Sequence, residues 1–519
     1  MFSLTQGLRR ALQMRPTGPS TAFAPRRRTW EQTADRVARV AGALAALGVK
    51  RGDRVAILAL NSDRYFELMY AIPWIGAVMV PINTRLAAPE IEYILEDSSS
   101  VVLFIDGTMA HHLTALDGKT PSVREVIWLD DISGPEGMLH YEDLTAYEAA
   151  EDVGAADDDL AGLFYTGGTT GRSKGVMLTH TNLVVNALNA VAGMGFDADT
   201  AYIHSGAMFH LADGASTFGV TLVGGRHAFV PRFEPIEVLQ VIARDKITHA
   251  QFVPTMINML VNHARFGEFD ISTLKLILYG ASPMPEGVLR KAMEVMPHVG
   301  MIHGYGMTEA APIVTLLPAR YTTLAGPYAG RLKSCGLAAL TCEVKVVDAR
   351  RKEVPRGTAG ELAIRGPNIM AGYWNKPAET AAVLEDGWYY SGDGATMDKE
   401  GFVFIVDRLK DMIISGGENV YSAEVENAIS LMPGVGEVAV IGVPDDRWGE
   451  RVHAIIVPKP GAGLTPDSVL EFCRSQIAGY KCPRSVDFRA DPLPLSGAGK
   501  VLKRDLREPY WKGYTKAVN

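Results

Sequence analysis

Cysteine is scarce in this chain. Its 519 residues contain four, Cys335, Cys342, Cys473 and Cys482. They form no CxxC pair and have no histidine pair nearby, so neither a zinc site nor a disulfide framework is expected. The opening residues lack a continuous apolar segment with a small-residue cleavage site, so no secretory signal is read there. With the cysteine usage, this predicts a reducing, cytoplasmic setting. Long apolar runs are also missing. The longest, about Tyr70 to Ile82, is too short to span a bilayer and contains Pro73 and Pro81, so no transmembrane segment is expected. Nor is charge of one sign in large excess: 51 Lys and Arg against 59 Asp and Glu leave a net charge of -8, no global reason to expect nucleic acid or an anionic membrane as partner. No internal repeat or low-complexity tract occurs.

What is present is a globular composition, 47% hydrophobic and 21% charged, on a chain too long for one hydrophobic core. At least two domains of unequal size are predicted. The amino terminus is locally basic, with Arg9, Arg10, Arg15 and the run Arg26 to Arg28. It reads as a solvated leader, with a membrane-surface or anion-binding arm as the alternative.

Helix and strand signals then alternate. A capping-box pattern at Thr29 to Gln32 opens an amphipathic helix through Val37, Ala41 and Leu44 that closes at Gly48. The run RVAILAL (Arg54 to Leu60), a helical stretch from about Arg64 to Gly76, VMVPI, a helix entered through Pro89 and VVLFI follow. Repeated βαβ units of this kind imply a parallel sheet covered by helices. Beyond residue 330, shorter strands such as EVKVVD and GELAIRG, separated by Gly and Pro turns, predict a small β-rich subdomain. A fresh α+β pattern comes after Gly417: a helix capped by Ser422, strands VAVIGV and HAIIV, and a helix after Pro466.

The strongest chemical signal is YTGGTTGRSKGVMLTH, Tyr165 to His180, read as a loop before an apolar helix. Glycines let backbone N–H groups approach phosphate oxygens, threonine hydroxyls add donors, and Lys174 adds positive charge. The P-loop pattern GxxxxGK[ST] is not matched, because Gly175 follows Lys174. The loop instead resembles the phosphate-loop signature YTSGTTGxPKG of the adenylate-forming superfamily: acyl-CoA synthetases, peptide-synthetase adenylation domains and firefly-type luciferases. Further segments stand in that family's order. YGASP (Tyr279 to Pro283) resembles the adenine-contacting turn, GYGMTE (Gly304 to Glu309) the adenine-stacking motif, and WYYSGD (Trp388 to Asp393) the ribose-gripping segment. DRLKD (Asp407 to Asp411) resembles the interdomain hinge, and the segment ending in LKR at Arg504 places Lys500 at the family's catalytic lysine.

The resemblance implies an α/β fold: a large N-terminal domain of α/β subdomains with a β-rich subdomain (residues 1–407), a hinge at 408–410 turning on Lys410, and a small mobile α+β C-terminal lid (residues 411–519). It further implies ATP, Mg2+ and coenzyme A as cofactor and co-substrates, with a small carboxylic acid joined to the thiol through an acyl-adenylate. The nucleotide and its phosphates would be held by Thr166, Gly167, Gly168, Thr169, Thr170, Gly171 and Lys174, by Gly280, Ala281 and Ser282, and by Gly304, Tyr305, Gly306, Met307 and Thr308. Asp393 and Arg408 would fix the ribose, and Glu309 with Thr166 would hold the metal. Lys500, His210 and Glu309 are the implied catalytic set, with Lys500 a mobile point charge and His210, in MFHLADG, beside the acyl carboxylate. Asp213 lies close enough to His210 in sequence to keep an amine-binding aspartate, as in peptide-synthetase domains, in play.

Gly167 stands where the family usually has serine, a loss of a charge-assisted hydrogen bond worth about 1.5–3 kcal/mol. Ser173 replaces a common proline, and no role is given to Glu418 or Asn419. The acyl pocket is expected from His210, Gly280, Gly304, Met307 and the Ala310 to Ile313 segment, all small or apolar, and so to favour a medium-chain fatty or aromatic acid. The rival readings are an adenylation enzyme that loads a carrier protein, a luciferase-type oxygenase and a non-catalytic nucleotide sensor. Oligomeric state is open, a homodimer included.

Overall fold

The structure is a computed structural model that describes the chain except residues 133, 167–172, 283, 409–411, 416–417, 446, 496–500 and 513–519, and only the backbone at 407, 408, 414, 418 and 419. Within it, the alternating pattern of the first hundred residues forms the parallel sheet it implies. Strands Arg54–Leu58, Val78–Pro81 and Ser100–Ile105 pair in parallel inside an eight-stranded sheet. Helix Asp63–Trp74 is buried along its whole length, because both its faces meet packed elements. The helix Trp30–Ala46 begins with the capping box read from sequence: Thr29 Oγ1 accepts from the Gln32 amide at 3.3 Å, and Gln32 Oε1 accepts from the Thr29 amide at 2.9 Å. No helix among the described residues is long and apolar enough to cross a membrane.

The amino terminus departs from the expectation of a solvated leader or arm. Residues Leu4–Met14 form a helix whose Leu4, Leu8 and Ala11 are buried in the main core. Arg26, Arg27 and Arg28 lie on or beside a β-hairpin at the edge of a second sheet and meet carboxylates: Arg26 and Arg28 pair with the fully buried Asp63, and Arg27 with Asp245 at 2.5 Å. The helix's apolar stripe outweighed its charge, and buried acids consumed the basic run.

That second sheet has nine strands, with a parallel centre made by Ala201–His204, His249–Phe252, Leu276–Gly280 and Gly300–Gly306. A third, five-stranded sheet spans Glu343–Val347 to Val403–Arg408, the β-rich subdomain. A fourth is built only from strands between Ile413 and Phe488. Within it, helix Ser422–Ser430 is corrected in one detail: its cap position is Tyr421, not Ser422, and the Ser422 hydroxyl accepts from Lys503 Nζ at 2.5 Å. Serine therefore serves a contact with a later helix rather than its own helix end.

Candidate active site

The carboxyl ends of the parallel strands in the nine-stranded sheet open into a cleft of about 2940 Å³, well beyond the roughly 300–1,000 Å³ of a pocket for one small ligand. Room for more than one substrate follows. Residues of the fourth-sheet unit close its other side, including Leu495 and Val501, which bridge to each other at the base of the 496–500 segment. Lys500, the implied catalytic lysine, lies in that segment, outside the described residues, as do Gly167, Gly168, Thr169, Thr170, Gly171 and Lys410. The Arg408 backbone pairs with Asp393 on the neighbouring strand.

Thr166 and Lys174 flank the undescribed part of the phosphate-type loop and both line the cleft. The loop does not lead directly into a helix, as the sequence pattern had implied. It joins antiparallel strands Leu160–Thr166 and Lys174–Thr179, and the helix starts only at His180. The run VMLT is β-prone and finds partners on both sides, including Gly372–Tyr373. Below the loop, Tyr165 donates to Asp97 Oδ2 at 2.6 Å, and Ser173 accepts at its carbonyl from the Tyr93 hydroxyl at 3.1 Å.

The nucleotide-type motifs sit on the tips of two adjacent strands, with Gly280 opposite Gly304. Glycine is obligatory there. A Cβ at Gly280 would stand 2.1 Å from the Gly304 carbonyl oxygen, and one at Gly306 would stand 1.9 Å from that of Pro312. Ala281 follows in the left-handed region at φ 66°, a conformation that costs a non-glycine residue about 1–2 kcal/mol and turns Ser282 toward the cleft, which both residues line. Gly304, Met307 and Thr308 line it as well. Tyr305 donates to Asp393 Oδ2 at 2.7 Å, so the two motifs are one hydrogen-bonded unit. Burial, then the Asp393 carboxylate, push the Tyr305 phenol well above its usual range, which keeps it a donor.

Glu309 accepts from the Tyr373 hydroxyl at 2.9 Å, and Tyr389, on the strand Trp388–Met397, lines the same cleft. Lys174 Nζ lies 4.8 Å from the Tyr373 ring centroid. Tyr373 and Tyr389 were not singled out from the sequence, although Tyr389 stands inside the quoted WYYSGD. A side chain bonded to a carboxylate 64 residues away has no local signature.

On the opposite wall, His210 occupies the N-cap position of helix Leu211–Val223 and lines the cleft, its ring 4.4 Å from that of Phe209. Asn61 holds the preceding loop from beneath, donating to the Gly206 carbonyl at 2.6 Å and accepting from the Met208 amide at 2.8 Å. Asp213 is buried and turned away: it accepts from the Tyr202 hydroxyl at 3.0 Å and lies 3.3 Å from His204 Nδ1. An amine-binding aspartate at the pocket is therefore not what it provides. In the Ala310 to Ile313 segment, Pro312 and Ile313 line the cleft, whereas Ala310 and Ala311 are fully buried. Asn186 and Asn368 clamp that turn, both donating to the Ala310 and Ile313 carbonyls, which holds the two alanines inward.

Residues 8–374 match the model of the AMP-binding enzyme family, and residues 424–500 that of the AMP-binding enzyme C-terminal domain. The chain is 39% identical over 503 residues to the feruloyl-CoA synthase of an Amycolatopsis species, covering 96% of this chain and 98% of that one. It is 35% identical over 497 residues to a long-chain-fatty-acid–CoA ligase of Escherichia coli O6:H1, covering 89% and 86%. The structure of the anthranilate CoA ligase AuaEII in complex with anthranoyl-AMP is similar, with a TM-score of 0.89 at 27% identity over 98% of this chain and 97% of that one.

Proposed function

The chain belongs to the AMP-binding enzyme family, and from that premise we propose that the acid which this ATP-dependent, AMP-forming CoA ligase activates is an apolar aromatic acid. The observation that carries the choice is the acyl end of the cleft. Ala212, Ala215, Leu278, Met307 and Ile313 line it, all small or apolar, and the backbones of Gly280, Gly304 and Gly306 set its rim. A slot whose width is set by backbone suits a planar ring. The feruloyl-CoA synthase at 39% identity supports the same reading.

The site roles form part of the proposal. A carboxylate oxygen of the acid attacks the α-phosphorus of ATP, the bond to the β-phosphate oxygen breaks, and pyrophosphate leaves. The thiol of coenzyme A then attacks the acyl carbon and AMP departs. Tyr305 offers its ring to adenine, while Asp393, oriented by the Tyr305 hydroxyl, takes the ribose hydroxyls. Lys174 and the adjoining loop face the departing pyrophosphate, and His210 stands where the acyl carboxylate enters. Glu309 and Thr166 line one cleft and present oxygen donors, a set that fits Mg2+; bound there, the ion would neutralise phosphate charge. Residues 411–519 act as a lid on a hinge at 408–410, bringing Lys500 to the carboxylate for the first step. All four cysteines are free and buried, which suits a cytoplasmic enzyme.

The test is acid-dependent pyrophosphate release across short, medium, long and aromatic acids, with and without coenzyme A. Highest kcat/KM on an aromatic acid, with acyl-CoA as product, is expected. A preference for alkanoic acids would move the assignment to the fatty-acid side.

A further inference from the structure

Deep in the acyl end of the cleft lies a polar group that the reaction described above does not use. Gln251, on strand His249–Phe252, is 4% exposed, yet it lines the cleft. Its side-chain amide reaches the cleft and makes no hydrogen bond among the described residues. Ser216 also lines the cleft, and Tyr202 donates to Asp213. Asn258 Oδ1 accepts from Asn262 at 2.8 Å.

Register gives its depth. Gln251 pairs in parallel with Leu278, and Gly280 stands two positions further along that strand, level with Gly304 at the rim. At about 3.3 Å per residue the Gln251 level lies about 7 Å below the rim. That depth is comparable to the span of a phenylpropenoic acid from its carboxyl carbon to a hydroxyl on the far side of its ring. The amide presents both a donor and an acceptor without charge, which matches a neutral hydroxyl rather than a second carboxylate.

We infer that Gln251 is a specificity-determining residue that hydrogen-bonds a ring hydroxyl of the aromatic acid, so that this ligase prefers hydroxylated phenylpropenoates to their unhydroxylated counterparts. The inference rests on the aromatic reading above and adds the substituent to it.

The experiment compares kcat/KM for 4-hydroxycinnamate and cinnamate, by pyrophosphate release, in wild type, Gln251→Leu and Gln251→Met. The expected result is a wild-type preference for the hydroxylated acid that falls about tenfold in both variants, the worth of one neutral hydrogen bond, through loss on 4-hydroxycinnamate alone. An unchanged ratio, or an equal fall on both acids, would overturn the inference while leaving the aromatic reading intact. Wild-type turnover of alkanoic acids only would remove the aromatic reading and this inference with it.

Discussion

The two ends of the cleft are built by opposite means. At the nucleotide end, carboxylates far apart in sequence are tied to tyrosine hydroxyls, Asp393 to Tyr305 and Glu309 to Tyr373. At the acyl end the wall is mostly small and apolar, and the Gln251 amide faces the cleft. The difference teaches how one scaffold divides its work. A polar, charged ligand is met by groups oriented in advance, so little reorganisation is needed when it binds. An apolar ligand is met by shape, with a few polar groups to select among similar shapes.

The largest expected effect comes from removing the charge that is to cross between the ends. Lys500→Ala should lower adenylation on the order of 10²–10³-fold, read as pyrophosphate release, while thiolysis of supplied acyl-adenylate changes little; an equal loss in both steps would break the division. Next, Gly306→Ala should cost about 1–3 kcal/mol through the collision with Pro312. This would be seen as a lower unfolding midpoint and a raised KM for ATP. A smaller effect is expected from Tyr305→Phe, which keeps the ring and removes only the bond to Asp393. KM for ATP should rise about tenfold with the acid's KM unmoved, and a matching change in the acid's KM would show that the two ends are coupled.

The smallest effect tests a flank that belongs to neither end. Burial holds the His180 imidazole down to about 4 against an ordinary 6.5, and its Nδ1 accepts from the Leu4 amide at 3.1 Å. The unfolded chain takes up the proton first as pH falls. The stability this neutral ring contributes is therefore full above about 6.5 and is lost as pH falls toward 4. His180→Gln should flatten the decline in denaturant midpoint across that window and leave both KM values at pH 7 unchanged.

Much of the fold was legible because its signals are local. The capping box at Thr29, the βαβ succession to Ile105 and the short strands beyond residue 330 each follow from residues near one another in the chain. Where reading failed, a distant partner decided. The basic run at Arg26 to Arg28 looked solvated until Asp63 and Asp245 met it, and VMLT looked helical until strands on both sides paired with it. Of the candidate site, the residues brought to one cleft include Thr166, Lys174, His210, Gly280, Tyr305, Glu309 and Asp393. The bonds among them, and the contributions of Tyr373, Asn61, Asn186 and Asn368, were invisible, since each spans tens of residues or more.

By itself the sequence determined the ordered motifs, and with them the family and the reaction class, because spacing within a loop or turn is set by covalent connectivity. Only the tertiary structure decided that Asp213 faces the core rather than the pocket, that Ala310 and Ala311 sit behind the wall they were expected to form, and that Gln251 lies at its floor. Those are questions of which way a side chain points, and direction is settled by packing between elements that the chain brings together only when folded.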